Sequence, residues 1–171
     1  SGVAIAILQL LQQQGWSISI AAIQQGMAQT QWPGRLQWHT WQGRPLLLDG
    51  AHNTAAAQVL RRYVDRLAPP ATWLMGMLAT KDHRDIFTAL LRPGDSLHLV
   101  PVPGHQSAAP AELAQLAQAV CPELAVCRTY PSLDQGLSAA IQQPKTAETP
   151  VIFCGSLYLI GEFLRRFAST G

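Results

Sequence analysis

The stretch Leu46-Leu47-Leu48-Asp49-Gly50-Ala51-His52-Asn53 determines how the rest of the chain is interpreted. Three consecutive leucines are typical of a strand that is buried on both faces of a sheet. The residues that follow, 54–62, have the pattern of a helix. A carboxylate and an imidazole therefore lie on a tight turn from strand to helix. In open α/β sheets such turns face the ligand crevice at the carboxyl ends of the strands.

Strands and helices alternate on the C-terminal side of this stretch. Repeated β-α units predict an α/β fold with a mostly parallel sheet and helices on both faces. Alternating apolar and polar residues at 36–41, a turn at Gln42-Gly43 and an apolar run at 45–49 predict a β-hairpin that leads into the first buried strand. We predict further strands at 72–77, 96–100, 125–128 and 151–154, and helices at 82–91, 110–120, 132–142 and 157–167.

The N-terminal part has a different character. Apolar spacing predicts a helix over 3–14, and Ser19 is placed to cap a second short helix that ends near Gly26. Trp32-Pro33-Gly34 then breaks the chain, so we predict a helical segment at 1–32 and an α/β domain at 33–171. The first residues resemble the middle of a helix and lack a starting methionine, which indicates that the chain has been cut from a longer protein.

The composition excludes several classes of protein. Of the 171 residues, 48% are hydrophobic and 13% are charged, which indicates a folded domain rather than a disordered tail. A net charge of +2 without a basic run gives no indication of nucleic-acid binding, and no apolar run is long enough to span a membrane. Three cysteines without a CxxC pair argue against a disulfide framework or zinc site and favour the reducing cytoplasm.

Familiar catalytic patterns are also missing from the sequence. There is no glycine-rich phosphate cradle of the GxGxxG or GxxxxGK[ST] type and no nucleophile elbow. The five histidines are scattered, so we predict no metal ligand and no catalytic residue in this chain.

Two residues of the opening stretch are the best candidates for ligand contact. The Asp49 carboxylate could accept two hydrogen bonds from a ribose diol, or it could only stabilise the turn or cap the next helix. His52 is a candidate for the same ligand. Asn53 is interpreted as a plain N-cap.

Three further residues have both a functional and a structural interpretation. Arg35 follows a turn and could bind phosphate, or it could simply be solvated. Lys81, in a predicted loop, could meet an anion in the crevice or be solvated as well. Ser156 precedes the last helix, where free N–H groups favour an anion, but it could equally be only the cap. Tyr158 and the tryptophans are interpreted as packing residues.

Together these motifs resemble folylpolyglutamate synthase/dihydrofolate synthase, a family of the Mur ligase superfamily. The matching segments are 32–36 (WPGRL), 48–53 (LDGAHN), 75–82 (MGMLATKD) and 155–162 (GSLYLIGE). The resemblance covers residues 3–167. It implies that residues 1–32 are the tail of a central ATPase domain, and that 33–171 are a Rossmann-like C-terminal domain. Thr54 departs from the family, which usually has proline there, as does Thr80, where an acid is common.

The resemblance also implies a reaction. ATP phosphorylates a carboxylate of folate or dihydropteroate, and L-glutamate attacks the acyl phosphate to form an amide. ATP and Mg²⁺ would be bound mainly by an upstream ATPase domain in cis, and the present fragment alone would be inactive. Arg35 would contact the phosphates, Asp49 the ribose hydroxyls and His52 the nucleotide, with Lys81 and Ser156 on the glutamate side. The alternatives are a peptidoglycan Mur ligase C-terminal domain and a non-catalytic binding module.

Overall fold

The computed structural model describes residues 2–29, 32–67, 70–143 and 149–167. The chain divides into two compact units, Ser1–Pro33 and Gly34–Gly171. The second unit contains all the candidate site residues. No helix within the described ranges is long and apolar enough to cross a bilayer.

The described residues of the first unit form two helices, α1 (Gly2–Gln13) and α2 (Ile20–Gln29). The chain turns after α1 at Gly15, whose φ of 93° lies in the left-handed region that favours glycine. The Ser19 hydroxyl accepts a hydrogen bond from the Ala22 N–H at 3.0 Å, which confirms Ser19 as the cap of the second helix. That helix runs three residues beyond Gly26, because one glycine costs a helix only about 1 kcal/mol relative to alanine.

The second unit is built on a sheet. Its described residues form six strands in the spatial order β1-β2-β6-β3-β4-β5. The β1–β2 pair is antiparallel and every other pair is parallel, which confirms the predicted sheet type. The strands are β1 (Gln37–Trp41), β2 (Arg44–Leu48), β3 (Thr72–Met75), β4 (Ser96–Leu99), β5 (Val126–Thr129) and β6 (Val151–Cys154).

The hairpin of β1 and β2 confirms the turn predicted at Gln42-Gly43. Both residues have positive φ, 49° and 74°. Two such residues form the tight turn whose twist matches that of antiparallel strands. The turn sets the register that pairs Trp38 with Leu47.

Helices cover both faces of the sheet and explain the three leucines of β2. Leu47 packs into one core, together with the helices at 54–64, 83–90 and 110–120. Leu46 and Leu48 pack into a second core, together with the helices at 133–142 and 157–167. All three leucines are fully buried, as a strand covered on both faces requires. These helices are α3 (Thr54–Val64), α4 (His83–Leu90), α5 (Pro110–Val120), α6 (Leu133–Gln142) and α7 (Leu157–Phe167).

Several element boundaries differ from the prediction by one or two residues, and two of these differences have clear local reasons. β3 ends at Met75 rather than at 77, and the next residue, Gly76, lies against the end of β4. A Cβ atom at Gly76 would be 2.7 Å from the Val100 carbonyl oxygen, so only glycine fits. α4 begins at His83 because Asp82 is its N-cap and accepts a hydrogen bond from the Asp85 N–H.

A buried ion pair joins α3 to the start of β4. The Arg61 guanidinium lies 2.6 Å from the Asp95 carboxylate, and both side chains are at most 3% exposed. Asp95 also accepts hydrogen bonds from the Ala71 N–H at 2.7 Å and from the Trp73 indole at 3.0 Å. Arg61 in turn donates to the Leu90 carbonyl at 3.0 Å. The buried charges are therefore paired and hydrogen-bonded, which makes their burial tolerable.

His98 on β4 is a buried titratable group remote from the candidate site residues. It is 1% exposed, and its Nδ1 lies 2.9 Å from the Tyr130 hydroxyl oxygen. Its Nε2 has no hydrogen-bond partner among the described residues. Burial, together with the nearby Arg128 charge, lowers the pKa of His98 from 6.5 to about 4. The imidazole is therefore neutral in the folded chain at neutral pH.

We expect this histidine to make the chain acid-sensitive. Between pH 6.5 and pH 4 the unfolded chain binds a proton at His98 that the folded chain does not, so stability falls as the pH falls. The loss from this group is about 2 kcal/mol at pH 5, from a slope of about 1.4 kcal/mol per pH unit. Urea unfolding at pH 7 and pH 5 measures it, and His98→Phe removes this contribution. Equal pH sensitivity of the two proteins would contradict the assignment.

Candidate functional site

The candidate residues gather at the carboxyl edge of the parallel strands, where three loops meet. The sheet order places β6 between β2 and β3, so the loops that follow these strands are neighbours. The Gly155 N–H donates to the Ala51 carbonyl at 2.9 Å and joins two of the loops. A Cβ atom at Gly155 would lie 2.8 Å from the Gly76 carbonyl oxygen, and φ is 100° there. Only glycine allows so close an approach.

Asp49 fastens the turn after β2 to the segment before β1. One carboxylate oxygen accepts from the Leu36 N–H and the other from the Ala51 N–H, each at 2.9 Å. Burial raises the pKa of the Asp49 carboxyl, while those two hydrogen bonds and the Arg35 guanidinium act in the opposite direction. A carboxylate offers about four acceptor positions, so about two remain for a ligand after these bonds are made. Asp49 is not a helix cap, since Asn53 caps α3 by accepting from the Ala56 N–H at 2.9 Å.

A cavity of about 320 Å³, here called the β2-side cavity, brings three candidates together. Arg35, Asp49 and His52 all line it. A guanidinium and a carboxylate in one cavity can bind an anion and a diol, respectively. The remaining lining residues are Leu36, Gly50, Ala51, Asn53, Ala56, Val59 and Leu60.

A second cavity of about 390 Å³, the β6-side cavity, brings Lys81 and Ser156 together. His52 lines this cavity as well, so it lies at the junction of the two. The Lys81 ammonium forms no ion pair with any described residue. The remaining lining residues are Leu78, Gly155, Leu157 and Tyr158.

The His52 ring is held by a hydrogen bond within its own turn. Its Nδ1 lies 2.7 Å from the Gly50 carbonyl oxygen. Because a carbonyl can only accept, Nδ1 carries a proton, and in the neutral ring Nε2 is then an acceptor. A half-buried imidazole with one fixed nitrogen presents a defined hydrogen-bonding atom to a ligand.

Ser156 begins α7 and is 3% exposed. Its hydroxyl accepts from the Leu159 N–H at 3.4 Å, so the capping role is present. The helix N-terminus carries a partial positive charge from its free N–H groups. The cap and the Lys81 ammonium thus make the β6-side cavity attractive to a carboxylate.

The interpretation of Tyr158 as a packing residue is wrong; that of the tryptophans is confirmed for the fully buried Trp73 but is wrong for Trp38 and for Trp16 and Trp32, which are 64% and 66% exposed. Tyr158 is 55% exposed and lines the β6-side cavity, and Trp38 is 47% exposed on the edge strand β1. The signal for Tyr158 was available in the helical spacing. The buried residues of α7 are Leu159, Ile160 and Phe163, which leaves Tyr158 outside the apolar stripe.

A third cavity, of about 400 Å³, lies between α3 and α4 and contains none of the candidates. Arg61 lines it, but its guanidinium is already held by Asp65, Asp95 and the Leu90 carbonyl. The described residues contain no group of three or more His, Cys, Asp or Glu side chains placed to hold a metal ion.

Known proteins resemble this chain in sequence, and a solved structure resembles it in fold. The chain is 32% identical over 146 residues to folylpolyglutamate synthase of Lacticaseibacillus casei, covering 84% of this chain and 32% of that protein. It is 31% identical over 156 residues to dihydrofolate synthetase of Saccharomyces cerevisiae, covering 81% and 36%. The bifunctional folylpolyglutamate synthase/dihydrofolate synthase from Yersinia pestis, complexed with AMPPNP and Mn ion, matches with a TM-score of 0.76 and 26% identity. That match covers 94% of this chain and 37% of the other.

The chain spans about a third of the length of these proteins. Residues 35–166 match the family model described as dihydrofolate synthetase, C-terminal domain. That range contains the β2-side cavity, the β6-side cavity and all five candidate residues. The chain therefore belongs to the family of dihydrofolate synthetase C-terminal domains.

Proposed function

We propose that this chain is the C-terminal part of an ATP-dependent ligase that adds L-glutamate to folate or dihydropteroate. In this reaction ATP phosphorylates the acceptor carboxylate, and the glutamate amine displaces phosphate to form an amide. The observation that carries the proposal is the meeting of two cavities at His52, one with Arg35 and Asp49 and the other with Lys81 and Ser156.

The β2-side cavity is assigned to the nucleotide. Arg35 binds the phosphates, and the free acceptor positions of Asp49 take the ribose hydroxyls. His52 contacts the nucleotide from the junction of the cavities. The complex of the Yersinia pestis relative with AMPPNP supports ATP as the substrate.

The β6-side cavity is assigned to glutamate. Lys81 and the N-terminal end of α7 at Ser156 supply positive charge for a carboxylate. The adjacent nucleotide would bring an acyl phosphate and the attacking amine close together. We assign no Mg²⁺ ligand to the described residues, and place the metal with the phosphates on an upstream domain.

We assign residues 1–32 to the closing helices of that upstream ATPase domain, acting in cis. Apolar side chains on α1 support this, since Val3 is 76%, Ile7 51% and Leu10 57% exposed. We place the enzyme in the cytoplasm, a compartment that suits its three free cysteines, Cys121, Cys127 and Cys154.

An acceptor-competition assay on the full-length protein tests the function. The protein is given ATP, Mg²⁺ and L-glutamate, with dihydropteroate, tetrahydrofolate or a peptidoglycan precursor as the acceptor. We expect glutamate-dependent phosphate release, and a product one glutamate heavier, with at least one of the two pterin acceptors. The 171-residue chain alone serves as the control and should give no turnover. Turnover with the peptidoglycan precursor alone, or with none of the three, would contradict the proposal.

A further inference from the structure

An aromatic stack that includes one lining residue of the β6-side cavity, Tyr158, has no role in the function proposed above. The ring of His105 lies on the ring of Tyr158, with centroids 3.8 Å apart and planes inclined by 30°. His105 belongs to the loop between β4 and α5, and Tyr158 to the first turn of α7. The two residues are 53 positions apart, so only the fold brings them together.

The loop that carries His105 is firmly held. The Ser107 hydroxyl accepts from the Val102 N–H at 3.0 Å and closes the loop on itself. The Gln106 carbonyl accepts from the Ala79 N–H at 2.8 Å. Ala79 lies in the loop that also carries Lys81, so His105 has a fixed position relative to that loop.

Tyr158 lacks such support from its own helix. It is 55% exposed and stands outside the buried stripe of α7, yet it lines the same cavity as Lys81 and Ser156. An exposed tyrosine would sample several rotamers. The stack on His105 selects one of them, because contact between the two ring faces removes apolar surface of both residues from water.

We propose that His105 is a positioning residue for the amino-acid substrate and acts through Tyr158. This inference rests on the proposed function, in which an acidic amino acid occupies the β6-side cavity. The fixed Tyr158 ring covers the aliphatic part of the amino acid and excludes water beside the Lys81 ammonium. A drier surrounding strengthens the attraction between that ammonium and the side-chain carboxylate.

The test is a set of variants of the full-length protein. We expect His105→Ala to raise the KM for L-glutamate about three- to tenfold, the range that corresponds to losing one aromatic stack. The KM for ATP should not change, because His105 is not among the residues that line the β2-side cavity. His105→Phe keeps a ring in place and should restore the KM for glutamate.

Gln106→Ala is the matched control, because it changes an exposed side chain of the same loop and keeps the backbone bond to Ala79. In a Tyr158→Ala background, His105→Ala should have no further effect on the KM for glutamate. A normal glutamate KM in His105→Ala, with an active wild type, would overturn this inference alone. The inference would also be overturned if His105→Phe failed to restore the KM for glutamate. The same holds if His105→Ala raised the KM for glutamate and the KM for ATP equally and lowered the melting temperature. Absence of glutamate-dependent turnover in the wild type would overturn the proposed function and this inference with it.

Discussion

Replacing Asp95 by alanine is expected to destabilise the 171-residue chain by about 3–5 kcal/mol, because it breaks a buried ion pair and leaves the Arg61 guanidinium with only the half-exposed Asp65 carboxylate. The carboxylate that is lost also accepts from Ala71, Trp73 and the Arg92 N–H. The Ala71 and Trp73 donors would remain buried and unsatisfied. The corresponding fall in melting temperature is roughly 6–20 °C, measured by calorimetry at pH 7.

The chain provides a matched control of the same chemistry at its surface. Arg166 donates to both oxygens of Asp134, at 2.8 and 2.9 Å, and the two side chains are 43% and 50% exposed. Exposed pairs of this kind contribute about 0–1 kcal/mol, so Asp134→Ala should change the melting temperature little. Similar effects of the two substitutions would show that burial of the Arg61–Asp95 pair is not what matters.

In the full-length protein, Asp49→Ala is expected to raise the KM for ATP about 10- to 100-fold and to leave the KM for glutamate nearly unchanged. Hydrogen bonds to a charged group contribute about 1.5–3 kcal/mol, and each 1.4 kcal/mol is tenfold in affinity. Stability should fall as well, because the N–H groups of Leu36 and Ala51 lose their acceptor. Steady-state kinetics and thermal unfolding measure the two effects separately.

Asp49→Asn should also have a higher KM for ATP and a lower stability, since its NH₂ group would face one of the two backbone N–H donors. Ser132→Ala is the control for stability, because it removes the N-cap of α6, outside both cavities. Capping residues contribute about 1 kcal/mol, so its stability should fall without a change in either KM. If Asp49→Ala resembled Ser132→Ala in all three measurements, the carboxylate would be a structural tie and not a ribose ligand.

Much of the fold follows from local patterns in the sequence. The predicted bounds of β6, α5 and α7 agree with the structure, because buried apolar runs and helical stripes define them. Capping residues such as Ser132 and Asp82 mark helix starts through their own side-chain chemistry. These features depend only on residues a few positions apart.

The remaining features depend on residues that meet only in the folded chain. Asp49 looked like an open carboxylate, but Leu36, thirteen positions away, donates to it. Asp95 showed no signal of burial, since its partner Arg61 lies 34 positions away on another element. The grouping of Arg35, Asp49 and His52 in one cavity was expected from the resemblance to a ligase family. The stack of His105 on Tyr158 had no sequence signal, because it depends on the packing of the loop before α5 against the first turn of α7.

The position of β6 has a consequence for how the chain acquires its shape. Although β6 comes after the other five strands along the chain, it lies in the middle of the sheet, paired with Leu46–Leu48 on one side and Thr72–Met75 on the other. Until residues 151–154 emerge, β2 and β3 each present an unpaired edge, the kind of surface through which nascent chains aggregate. Such pairing between distant segments slows folding, because the chain loses the entropy of closing a long loop before the paired strands gain any contact. The two exposed edges of β2 and β3 are therefore protected only once β6 has been synthesised and inserted between them.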